Sequence, residues 1–224
     1  MRAFARHGAS PHSDPSPARG RGAADGALTA SRRFWPSVIL HHHVKGHALL
    51  IIDMINALDF PEGPKLLRTA LPAARRIATL KQRLKARGVP TIYVNDNYGQ
   101  WRSDFKQVVA RCAQPDSLGA PLVKLLRPED DDYFVLKPER SGFRDTPLCM
   151  LLETLDAKTL ILAGIALDVC VLATATDADM HGFKLYVPSD CVASETPGRR
   201  TASLKLLRDS LQADTRQSRA ITLR

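Results

Sequence analysis

The chain has 224 residues, a formal net charge of +9, 44% hydrophobic and 25% charged residues. This composition excludes a chain that is disordered or fibrous throughout, and no run of 18 apolar residues offers a membrane-spanning helix. Residues 1–46 carry 7 Lys/Arg against 2 Asp/Glu, residues 197–224 carry 7 against 2, and residues 47–196 carry 18 against 19. The basic excess therefore sits at the two ends, which argues against a nucleic-acid-binding body.

Residues 1–46 are rich in Ala, Arg, Gly, Pro and Ser and show no hydrophobic period. Such a segment buries too little apolar surface to offset its ordering entropy, so it reads as a disordered basic extension. Its Arg-rich, acid-poor makeup is that of a transit peptide, but Pro11, Pro15 and Pro17 oppose an amphipathic helix. Arg32 and Arg33 suggest a twin-arginine signal, yet the apolar stretch from Val38 to Leu40 is too short to follow one. His41, His42 and His43 read as a solvated linker.

From residue 47 the pattern changes. Residues 47–53 (HALLIID) form an apolar run ending in a carboxylate, expected as a strand buried on both faces. Residues 64–87 carry apolar side chains at helical spacing and stop before Gly88, a helix-ending signal. Residues 90–95 (PTIYVN) predict a second strand and 101–112 a helix. The acidic run 129–132 reads as a solvated loop rather than a cation site. Residues 133–136 predict a third strand, 147–155 a helix opened by proline, and 159–163 (TLILA) a fourth strand. Then come a helix over 168–181 ended by Gly182, a fifth strand over 183–187, an amphipathic helix over 198–213 and a weak sixth strand near 219–223. This alternation predicts one α/β domain over 47–224, a parallel sheet with helices on both faces.

In such sheets the site lies beyond the carboxyl ends of the strands. Asp53 ends the first strand, Lys137 follows the third, and Cys170 lies in the first turn of the helix after the fourth. A thiol at a helix N-terminus, near an ammonium, is expected to lose its proton more readily. A base must then move protons. His47 and His181 lie at the wrong ends of their elements, which leaves Asp53. Each residue alone has an ordinary structural explanation; their joint placement is what suggests catalysis. The spacings among Cys112, Cys149, Cys170 and Cys191 contain no CxxC pair, which argues against a zinc or dithiol redox site and fits reduced thiols in a cytoplasmic protein. No GxGxxG, GxxxxGK[ST] or GxSxG occurs, which counts against dinucleotide, P-loop and serine-hydrolase chemistry.

Residues 50–60 (LIIDMINALDF), Val135-Leu136-Lys137, Ser141-Gly142-Phe143 with Thr146 and Leu148, and residues 164–171 (GIALDVCV) resemble the isochorismatase-like cysteine hydrolases over about residues 47–214. The resemblance implies a Rossmann-like three-layer α/β sandwich around a parallel six-stranded sheet. It also implies an Asp53–Lys137–Cys170 triad, a non-proline cis peptide at Ile165–Ala166, and an oxyanion hole from the Ala166 and Cys170 amides. Homo-oligomers are common in the family, so one is expected here. Metal-bearing nicotinamidases of the family carry Asp and His after the second strand; here residues 95–101 read NDNYGQW without histidine, so no metal and no cofactor are expected. Isochorismate hydrolases that cleave a vinyl ether can lack the cysteine, so Cys170 favours C–N cleavage of an amide or ureide. Asn56, Phe60, Tyr98, Trp101 and Phe143 are the candidate substrate-binding residues. The expected partner is a small-molecule substrate, with neither nucleic acid nor membrane. The rival readings are a catalytically silent binding or scaffolding protein with this fold, a vinyl-ether hydrolase, a nucleic-acid binder using the basic ends, and a thiol redox protein.

Overall fold

A computed structural model describes residues 45–223. The extension expected to be disordered lies outside the described residues except for Lys45 and Gly46. The strands are β1 (His47–Ile52), β2 (Thr91–Asp96), β3 (Tyr133–Lys137), β4 (Thr159–Gly164) and β5 (Lys184–Tyr186). All pair in parallel, in the order β3-β2-β1-β4-β5. Successive side chains of a strand point to opposite faces, so each strand feeds two cores. Leu49, Ile51, Tyr93, Ile161 and Ala163 pack on one side against α1 (Gly63–Lys85), α2 (Phe105–Cys112) and α3 (Ala120–Leu125). Leu50, Ile52, Ile92, Val94, Leu160 and Leu162 pack on the other against α4 (Leu148–Thr154), α5 (Leu172–Met180) and α6 (Pro197–Asp209). Two-sided burial is why these strands read as continuous apolar runs rather than alternating ones.

The chain winds outward from β1 to β3, then returns to place β4 on the other side of β1. The winding reverses between β1 and β4, and in open parallel sheets ligands bind beyond the carboxyl ends of the strands at such a point. Gly164 permits the close approach there. Its φ is +127°, and a Cβ at this position would overlap the backbone of Ile52.

Several expected elements differ. Among the described residues the sheet has five strands, not six. In place of a strand near 219–223 there is a 3-10 turn, Ser218–Ala220. Burial on the α1 side outcompetes sheet pairing: Ile221 and Leu223 join the core there, and Arg83 and Arg87 of α1 donate to the Ser218 and Leu223 carbonyls. At the β5 edge an isolated bridge, Tyr186 to Asp214, extends the sheet. The helix expected from Trp101 begins at Phe105, because the Asp104 carboxylate accepts from Gln107 N (2.9 Å) and caps it. The helix expected over 168–181 opens with a π-helical turn, Leu167–Val171, before α5. Helix α3 had no sequence counterpart; its short run buries only Leu122 and Val123.

Glu129, Asp130 and Asp131 of the acidic run lie exposed on a loop, as expected, but the Asp132 side chain is buried. Lys81, 3% exposed, reaches Asp132 at 2.5 Å, and Lys85 pairs with Asp131 at 2.6 Å and with Glu129. These contacts tie the start of β3 to α1. Among the described residues no helix is long and apolar enough to cross a membrane.

Candidate active site

Asp53, Lys137 and Cys170 converge beyond the carboxyl ends of the strands. Lys137 Nζ lies 2.9 Å from Asp53 Oδ2 and 3.6 Å from Cys170 Sγ. Lys137 is fully buried, Asp53 nearly so, and Cys170 is half-buried. The third proton of the ammonium goes to the Glu139 carbonyl (3.1 Å). Asp53 sits in the left-handed backbone region with φ +51°, a conformation that Asp tolerates better than most residues. Its Oδ1 accepts from Asp96 N at 2.8 Å, so the carboxylate is fixed from β2 as well as from β3.

The loop after Asp53 is clamped. Asn95, fully buried at the end of β2, donates from Nδ2 to the Ile55 carbonyl (2.6 Å) and accepts from Ile55 N at Oδ1 (3.4 Å). Neither Asn95 nor Thr174, which joins the Cys170 helix to the loop after β3, was singled out from sequence. Thr174 follows Cys170 by four residues on a helix, a spacing that puts both on one face and could have flagged it.

Burial decides the electrostatics. It raises the Asp53 carboxyl above its ordinary 3.8, with Lys137 opposing. It pulls the Lys137 ammonium down, but the Asp53 and Cys170 charges more than offset this, and the net shift is upward. Burial, then the Asp53 charge, push the Cys170 thiol up to about 12 despite Lys137. The expected fall in thiol pKa is thus corrected. Cys170 rests as a thiol, because a lone thiolate there would be poorly solvated and would face a carboxylate.

The Ile165–Ala166 peptide is cis. The Ala166 carbonyl accepts from both Val169 N (3.0 Å) and Val171 N (3.2 Å) in the π-helical turn. The five expected substrate-binding residues lie on the segments that follow β1, β2 and β3. Asn56 spends its Oδ1 on Leu58 N (2.8 Å). The Tyr98 hydroxyl donates to the Ile55 carbonyl (3.2 Å), near the clamped loop. Phe60 is 37% exposed, and Trp101, on the loop after β2, is 78% exposed. Phe143 turns away: its ring stacks on His181 and tilts against Phe183, at the far end of α5. His47 and His181 likewise lie away from the carboxyl ends of the strands. Among the described residues no three His, Cys, Asp or Glu side chains gather as a metal site would require.

The model of the isochorismatase domain matches residues 47–218. The isochorismatase family protein YaaI of Bacillus subtilis strain 168 is 36% identical over 167 residues, covering 75% of this chain and 91% of that protein. Among solved structures, an isochorismatase-like hydrolase from Alkaliphilus metalliredigens superposes with a TM-score of 0.60 at 26% identity, covering 79% of this chain and 94% of the other. The N-carbamoylsarcosine amidase of Thermoplasma acidophilum superposes with a TM-score of 0.58 at 27% identity, covering 80% and 99%.

Proposed function

The chain belongs to the isochorismatase family of hydrolases, and from that premise we propose that it is a cysteine hydrolase cleaving a C–N bond of a small amide or ureide. The observation that carries this reading is one buried ammonium shared by a carboxylate at 2.9 Å and a thiol at 3.6 Å. The amidase named among its structural relatives supports the class of bond, not a particular substrate.

The proposed sequence starts with proton transfer from Cys170 to Asp53. This turns a carboxylate–thiol pair into a carboxylic acid and a thiolate beside the same ammonium. The net charge of the buried site does not change, so the transfer escapes the penalty that a separate thiol ionisation would meet. A carboxyl whose pKa burial has raised is also the better base. The Cys170 sulfur then bonds to the carbonyl carbon. The tetrahedral oxyanion is received by the Ala166 and Cys170 N–H groups. Asp53 returns the proton to the leaving nitrogen, the C–N bond breaks, and an amine or ammonia departs from a thioester. Asp53 takes a proton from water as its oxygen adds to the thioester carbon. The acid product leaves, and Cys170 recovers its proton.

An ammonia-release screen over small amides and ureides tests the reading, with Cys170→Ala as the control. Turnover by the wild type and a loss of about a thousandfold or more in the variant is expected. Equal turnover of every substrate by both proteins would overturn it.

A further inference from the structure

We propose that Thr174 is a positioning residue that holds the Cys170 turn against Lys137; the inference rests on the cysteine-hydrolase reading above. Thr174 is fully buried on α5, one turn beyond Cys170. Its hydroxyl donates to the Cys170 carbonyl at 2.7 Å and accepts from Gly142 N at 3.0 Å. A threonine that bonds the carbonyl four residues back is ordinary in helices. Thr176 on the same helix does this with the Leu172 carbonyl. Thr174 differs because its oxygen also receives a donor from another element.

That element is the arm that leaves β3 after Lys137. The arm receives the Lys137 ammonium at the Glu139 carbonyl and three residues later donates Gly142 N to Thr174. One hydroxyl thus joins the segment that holds the ammonium to the helix that holds the thiol. Among the described residues, the other hydrogen bond between these segments is the Lys137–Cys170 contact itself. The arm is set firmly: a Cβ on Gly142 would come 2.7 Å from Val94 Cγ1 and 3.2 Å from Leu148 Cδ2. The Cys170 side is less regular, since the π-helical turn hangs two amides on the single Ala166 carbonyl. A tie from the firm arm to the irregular turn sets the distance between thiol and ammonium. Displacements of about 1 Å at a reacting pair can cost on the order of a hundredfold in rate.

The test uses the full chain and iodoacetamide as the probe, near pH 8, with labelling of each cysteine followed by mass spectrometry. Thr174→Val keeps the shape and removes the hydroxyl; Thr174→Ser keeps the hydroxyl. The half-buried Cys149 on α4 is an internal control, and the buried Cys112 and Cys191 report unfolding. The expected result is a Cys170 rate about tenfold lower in Thr174→Val, and within about twofold of wild type in Thr174→Ser, with Cys149 unchanged in both. Equal Cys170 rates in all three proteins would overturn the inference, as would a serine variant as slow as the valine. Should Thr174→Val expose Cys112 and Cys191, Thr174→Ala replaces it. If that also unfolds, the hydroxyl serves stability and the inference falls. These outcomes are separate from the parent reading, which is overturned by equal ammonia release from wild type and Cys170→Ala.

Discussion

Two buried lysines, each paired with an aspartate, stand at opposite ends of the sheet. Lys137 meets Asp53 at 2.9 Å beyond the carboxyl ends of the strands, and Lys81 meets Asp132 at 2.5 Å near the start of β3. In both pairs the aspartate also accepts a backbone amide, from Asp96 and from Glu129 respectively. In both, burial raises the aspartate's pKa. The difference lies in the third neighbour. Lys81 has the Tyr93 hydroxyl at 3.4 Å, itself donated to the Leu126 carbonyl, and so closes a structural network. Lys137 has a thiol at 3.6 Å, carried by a different element and half-buried. A buried Lys–Asp pair is therefore no sign of catalysis by itself; a nucleophile that shares its ammonium is.

The largest test of this contrast is Cys170→Ala. It should remove turnover, by about a thousandfold or more, while the midpoint of thermal unfolding stays close to wild type, because a half-buried thiol is replaced by a smaller apolar group. An active variant would erase the difference between the two pairs. Next come Lys137→Met and Lys81→Met. Each strands a buried aspartate, so urea unfolding should show both destabilised by about 3–5 kcal/mol. Ammonia release per folded molecule should fall about a hundredfold or more in Lys137→Met and stay within about threefold in Lys81→Met. If Lys81→Met lost activity to the same degree, the two ends of the sheet would be coupled.

The pH dependence comes third. A carboxyl whose folded pKa lies above 3.8 favours the folded state at low pH and loses that contribution as pH rises through the raised value. Asp53 and Asp132 share this sign, so unfolding experiments stepped in pH should see both. Only Asp53 should also shape the rate: ammonia release should fall on the acid side along a limb lying above pH 3.8, as the base becomes protonated. An acid limb at the ordinary carboxylate value would remove Asp53 from the base role. The smallest effect is expected for Trp101→Ala. With Trp101 78% exposed, stability should change by no more than about 0.5 kcal/mol, and KM should stay near wild type. A large rise in KM would restore Trp101 as a substrate wall.

Much of this architecture was legible in the chain. The apolar runs ending at Asp53 and Asn95, and the helices stopped by Gly88 and Gly182, marked an alternating parallel fold, and the strand-end rule led to Asp53, Lys137 and Cys170. The placement of aromatic side chains was not legible. Phe143 and Trp101 carry no local mark of which way they face, and one packs at the far end of α5 while the other lies open to solvent. The acidic run 129–132 is a solvated loop for three of its residues; what the sequence hid is that Asp132 is buried and that the loop pairs with Lys81 and Lys85 on a helix distant in sequence.

The sequence by itself determined the elements, their order and the residue types at the strand ends, because burial on both faces of a strand and the punctuation of helices are local properties of composition. The tertiary structure alone decided that one ammonium serves both carboxylate and thiol, that burial lifts the thiol to about 12, and that Thr174 spans two elements. Those facts depend on which strands become neighbours and how much water their packing excludes, and neither is written in any single stretch of chain.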